Sequence, residues 1–197
     1  MDYLLNWANY NFQSPYQHRP NPPSVPEERN PILPCNVALN AKVTLHGGSF
    51  FTDGWGGGKI VDKHTIVDGV FLPRGKQWDQ GAVWWDCHDG VNRYIKIDLG
   101  GVYEIYGFIV QADDNDAYNL YYWDLESSTW RLAWHIPKYK YGWGMQTRPN
   151  PNSNSVIYYL PKPIVTNALK IEGDMYDSDL HFAVSEIQAF GVPQLTP

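Results

Sequence analysis

Apolar residues in this chain recur at every second position and nowhere sustain a helical spacing. Ile95, Ile97 and Leu99 alternate with Tyr94, Lys96 and Asp98, and Trp130, Leu132, Trp134 and Ile136 alternate with Thr129, Arg131, Ala133 and His135. A period of two places successive side chains on opposite faces, so these segments read as half-buried strands. Residues 102–111 follow the Gly100-Gly101 turn and are apolar on both faces, which predicts a central strand covered twice. Residues 118–123 form a further strand, joined to 129–136 as a hairpin through Glu126-Ser127-Ser128. Residues 156–160, 168–171 and 183–190 complete the set. Short strands separated by turn-rich loops predict an all-β sandwich.

Residues 1–34 differ from the rest. Pro15, Pro20, Pro22, Pro23, Pro26, Pro31 and Pro34 interrupt any helix or ladder, which predicts an extended arm ahead of a domain at 35–192 and a short tail at 193–197. The arm begins with Tyr3, Leu4, Leu5, Trp7, Tyr10 and Phe12. These apolar side chains either dock onto another chain or a second copy, or fold back over the arm's own domain. The stretch at 1–7 lacks a basic segment and a long apolar run, so no secretion signal is read there. No stretch approaches the roughly 20 apolar residues of a membrane helix. Net charge is −6 and no basic patch is evident, which argues against a nucleic-acid partner. Cys35 and Cys87 make no disulfide framework, and free thiols or a single bridge fit equally.

The closing strand carries one charge among apolar neighbours, Glu186 in Phe182-Ala183-Val184-Ser185-Glu186-Ile187-Gln188-Ala189-Phe190-Gly191. A buried carboxylate needs a partner. Together with Asn36-Val37-Ala38-Leu39-Asn40, Val67-Asp68-Gly69 and Tyr94-Ile95-Lys96-Ile97-Asp98-Leu99-Gly100, this run resembles the discoidin, or coagulation-factor C-type, domain of the galactose-binding-like superfamily. The resemblance covers residues 36–191. It implies a jelly-roll topology and a module that binds with its loops. It also implies a structural calcium between Asp68 and Glu186, since calcium takes oxygen ligands. The chain departs from the pattern at Lys76, two residues before Trp78, where the family has Thr or Ser. The Lys76 ammonium is therefore an alternative partner for Glu186.

Four loops exceed what a strand connection needs: 46–59, 71–89, 112–117 and 138–154. Long loops on a rigid sandwich are where recognition sits. The chain has 9 Trp and 14 Tyr, which serve equally as core or as faces on which a sugar ring stacks. The resemblance places the binding loops at one end, in the first two of these loops, with the fourth as a wall. The expected ligand contacts are Trp55, Arg74, Trp78, His88 and Trp143. At least one of Trp78, Trp84 and Trp85 is expected in the core. Asp113-Asp114-Asn115-Asp116 lacks the Gly and Glu of an EF-hand and reads as a solvated turn.

Catalysis finds little support. Cys87-His88-Asp89 are contiguous and point to alternate faces, so they build no nucleophile–base pair. The histidines lack metal-ligand spacing, and Trp55-Gly56-Gly57-Gly58-Lys59 lacks the phosphate-loop pattern. The expected function is a non-catalytic module recognising a cell-surface or extracellular glycan. The first alternative is an assembly protein, such as a virion decoration or tail component, anchored by its arm. The second is a protein-binding scaffold. Action outside cells or on a virion surface accompanies the first two readings.

Overall fold

The computed structural model describes residues 34–53, 62–139 and 142–194. The arm at 1–33, the segment with Trp55 and the last three residues lie outside the described set. The elements in chain order are β1 (Cys35–Asn36), β2 (Lys42–His46), β3 (Phe51–Asp53), a 3₁₀ turn (Lys63–Val67), β4 (Gln80–Asp86), β5 (Tyr94–Asp113), β6 (Tyr118–Asp124), β7 (Thr129–Ile136), β8 (Met145–Arg148), β9 (Tyr158–Gly173) and β10 (His181–Pro193). No α-helix occurs among the described residues, and none of their helices is long and apolar enough to cross a membrane.

The strands form an antiparallel jelly-roll sandwich. Two of them, β5 and β9, serve both layers. β5 bends at Gly100 (φ +73°), where its pairing with β9 shifts register between Asp98 and Tyr103. Its first part pairs with β2 on one side and with the end of β9 on the other, and β9 continues to β6 and β7. Its second part pairs with β10 and β8, and β10 continues to β4 and β3. Inward side chains from both layers meet in one core. Ile95, Ile97, Leu120, Leu169 and Ile171 face Trp85, Phe108, Val110, Phe182 and Val184, all fully buried. Tyr118 crosses the gap, with ring centroids 6.4 Å from Trp85 and 5.7 Å from Phe182. Its hydroxyl accepts from the Ala183 N–H and donates to the Ala183 carbonyl, both at 3.0 Å, so the buried phenol is satisfied.

Several loop expectations change. The loop at 71–89 contains β4, whose Ala82, Val83, Trp84 and Trp85 are buried on both faces and therefore show no alternation. The loop at 138–154 contains β8, a short, fully buried strand. The strands expected at 156–160 and 168–171 are one bent strand, β9. The acidic turn is not solvated: Asp113 and Asp116 are 2% and 0% exposed. Both cysteines are free, with Cys35 exposed and Cys87 buried.

Strand register fixes which loops share an end. Asp86 pairs with His181, Ala112 with Val184, Asp113 with Met145 and Tyr118 with Gly173. The described parts of the connections at 87–93, 114–117, 137–139 with 142–144, and 174–180 therefore gather at one end of the sandwich. β1 pairs with the far end of β10, Cys35 opposite Gly191, so the domain's first and last strands meet at the other end.

Candidate functional site

A cleft of about 220 Å³ opens at the loop end between Trp78 and Trp143, with Gln77, Asp113, Asp114, Asn115 and Gly144 completing its lining. Its two walls come from distant segments held together by backbone. The Met145 N–H donates to the Lys76 carbonyl at 2.8 Å, and the Gly75 N–H donates to the Met145 carbonyl at 2.9 Å. This clamp requires Gly144. Its φ is +58°, and a Cβ there would run into the Lys76 carbonyl. The turn leaves Trp143 71% exposed, with no ring contact among the described residues. Trp78 is half-buried and packs edge-on against Trp84, centroids 5.2 Å apart.

The floor is the acidic turn after β5. Arg148 is buried and organises it through main-chain carbonyls. Its guanidinium donates to Ala112 O at 2.6 Å, Asp113 O at 2.5 Å and Gln146 O at 3.1 Å. Asp116 accepts from the Asp179 N–H at 3.0 Å. Burial pushes the Asp113 carboxyl up to about 7 and the Asp116 carboxyl up to about 8, with neighbouring carboxylates adding to both shifts. Asn115 donates to Asp179 at 2.9 Å, joining this turn to the loop before β10.

Beyond Trp78 the aromatic surface continues. The His181 ring lies 5.9 Å from Trp78, and the His88 ring lies 4.6 Å from His181. His88 belongs to the 87–93 turn, which Arg93 stiffens by donating to both oxygens of Asp89, at 2.8 and 2.6 Å, and to the Asp86 carbonyl. Asp86 accepts from the His88 N–H and faces its ring, each at 2.7 Å. Burial raises the Asp86 carboxyl, but these contacts and nearby His181 outweigh it and hold it below the ordinary range.

Of the expected contacts, Trp78 and Trp143 share the cleft, and His88 reaches it through His181. Arg74 lies apart, in a neighbouring cleft of about 400 Å³ with Phe71, Pro151 and Asn152. It is tied to the site indirectly. Its Nε donates to Gln146 at 3.0 Å, and Gln146 donates to the Trp143 carbonyl at 2.8 Å. Trp55 lies outside the described residues. Trp84 and Trp85 are core, as expected for this cluster. The sequence reading missed Asp113, Asp114, Gln77 and His181 as site residues. The acidic run was visible, but its burial depends on Arg148, 32 or more residues away.

A different aromatic cleft, of about 310 Å³, lies on the open face of the first layer between His46, Tyr94, Lys96, Asp98, Trp123 and Trp130. Its rings are already engaged. His46 stacks on Tyr94 at 4.6 Å, and the Lys170 ammonium sits over Tyr121 at 4.3 Å and Tyr94 at 5.3 Å.

The calcium expectation rests on Glu186, which follows a bulge in β10 and is fully buried. It accepts from the Gly69 N–H at 3.3 Å and from the Gln188 amide at 3.1 Å. Burial pushes it up to about 8, and Asp68 adds repulsion. Lys76 is not its partner. No ion pair joins the two among the described residues, because the Lys76 backbone is pinned to the start of β8. Asp68 itself is exposed and accepts from the Val70 N–H at 2.8 Å within its own turn.

No protein-family model and no curated protein matches the chain. Solved structures do match. A fucolectin from striped bass (Morone saxatilis) serum has a TM-score of 0.53 at 12% identity, covering 81% of this chain and 50% of that one. The family 32 carbohydrate-binding module of Streptococcus pneumoniae EndoD has 0.48 at 14%, covering 79% and 98%. The family 32 module of C. perfringens NanJ, in complex with galactose, has 0.49 at 9%, covering 80% and 98%. At 12% identity the fucolectin likeness speaks of architecture alone, and with the strand order above it shows the chain to be an antiparallel, all-β sandwich of the kind that lectin has.

Proposed function

We propose that the chain is a non-catalytic glycan-binding module that seats a sugar residue in the cleft between Trp78 and Trp143. The observation that carries this reading is the exposed Trp143 ring, fixed by the Gly144 turn beside a floor of carboxylates and amides. A pyranose offers an apolar C–H face and a rim of hydroxyls. The first suits an indole face, and the second suits Asp114, Asn115 and Gln77. The fold likeness to a fucolectin accords with this reading. The face cleft is less suited, because its aromatic faces are occupied. Such a module acts where glycans are displayed, outside cells or on a particle surface.

Asp68 and Glu186 would hold a calcium ion, with backbone oxygens of the same turn. The ion would neutralise the buried carboxylate and tie the turn after the 3₁₀ segment to the closing strand. It has no part in contacting the sugar.

A glycan array probed with the purified protein tests the proposal. Binding to at least one glycan is expected, with Trp143→Ala weakening it about tenfold or more, as loss of roughly 1.4 kcal/mol of stacking implies. Trp130→Ala, in the face cleft, should leave it unchanged. No binding across a broad array, or loss through Trp130→Ala alone, would overturn the assignment.

A further inference from the structure

We propose that Asp86, His88 and His181 form a binding site for a divalent transition metal of the Zn²⁺ class, distinct from the Asp68–Glu186 pair. The three come from one corner of the loop end. Asp86 ends β4 and His181 opens β10, and the two are direct cross-strand partners. Side chains of such a pair stand on the same face of the sheet. His88 lies two residues past Asp86, where the turn returns its ring to the Asp86 carboxylate at 2.7 Å. His181 Nε2 lies 3.7 Å from the other oxygen of that carboxylate. One donor atom from each residue lies within 4.8 Å of the other two.

Two ligands on one zinc ion sit roughly 3.3 Å apart, as bonds near 2.0–2.1 Å require. The cluster therefore needs only a modest adjustment, opening the 2.7 Å His88–Asp86 contact and closing the 3.7 Å His181–Asp86 one, and His88 lies on an exposed turn that can move. The neighbourhood also orients the donors. Asp179 Oδ1 accepts from the His181 N–H at 3.0 Å and lies 3.6 Å from His181 Nδ1. A carboxylate behind one ring nitrogen directs the other nitrogen toward a metal. Cys87, between Asp86 and His88, is buried and takes no part. Two imidazoles and one carboxylate select a borderline transition metal over calcium or magnesium, which prefer oxygen. With three protein ligands and an exposed His88, at least one coordination position faces solvent. The ion would also brace the wall of the neighbouring cleft, since Trp78 lies 5.9 Å from His181.

The test is titration of the metal-stripped full chain with Zn²⁺ by calorimetry, repeated with Co²⁺ by visible absorption. Uptake of one ion at this site is expected, with a Co²⁺ spectrum of nitrogen and oxygen ligation and no competition from millimolar Ca²⁺. His88→Ala and His181→Ala should each weaken binding at least tenfold. Asp179→Asn, which removes the carboxylate behind His181 Nδ1 but no ligand, should weaken it about tenfold. His88 is exposed, so its variant folds and keeps the test decisive. Absent saturable uptake, affinity unchanged in His88→Ala, or a thiolate charge-transfer band reporting Cys35 would each overturn the proposal. The glycan reading stands or falls separately, on Trp143.

Discussion

At the scale of single residues, Glu186 carries the sharpest consequence. It is fully buried, its hydrogen-bond donors are a neutral N–H and an amide, and Asp68 adds repulsion. A bound cation stabilises such a fold by mass action, about 2.7 kcal/mol at a hundredfold excess over Kd. Calcium is therefore expected to raise the melting temperature of chelator-treated protein by several degrees. Glu186→Gln, which mimics the protonated side chain, should fold but lose most of that response. A calorimetric scan showing equal melting with calcium and with EDTA would dismiss the ion. The sequence showed that this carboxylate needed a partner. That Lys76 is not the partner could not be read there, because it depends on how the 71–79 loop is pinned to β8.

At the scale of elements, the decisive feature is the clamp between the 71–79 loop and the start of β8. It is two backbone hydrogen bonds, with Gly144 at the crossing. Backbone pairing of this kind leaves little trace in side-chain pattern. β8 is four residues with every side chain buried, and β4 is apolar on both faces. Neither shows the alternation that makes β7 legible, so side-chain pattern alone does not mark either as a strand. Gly144→Ala would force an L-residue into φ +58° and push its Cβ into the Lys76 carbonyl. A loss of about 1–3 kcal/mol in denaturant unfolding is expected, with weakened glycan binding as the Trp78 and Trp143 walls separate. A variant as stable and as active as the parent would show that the clamp does not set the site.

At the scale of the whole molecule, the two layers enclose carboxyls that resist ionisation. Asp113 and Asp116, raised to about 7 and about 8, face each other, Asp179 and Arg148. Unfolded, such groups titrate near ~3.9. The folded state thus holds more protons between roughly pH 4 and 8, so stability is greatest below the unfolded value and declines as pH rises through the folded ones. Urea unfolding across this range should show that decline, and Asp116→Asn should flatten it. A parent curve that rises from pH 5 to pH 8 would contradict this. What the sequence determined by itself was local: period-two spacing fixes strand character, Gly and Pro fix turns, and the aromatic count and isolated Glu186 announce a packed sandwich with a charge to satisfy. What only tertiary structure decided was long-range. It bent β5 and β9 across two layers, buried the acidic turn beneath Arg148, and brought Trp78, Trp143, His88 and His181 to one end. Those outcomes depend on register between strands far apart in the chain, and a residue's neighbours in sequence carry no record of its neighbours in space.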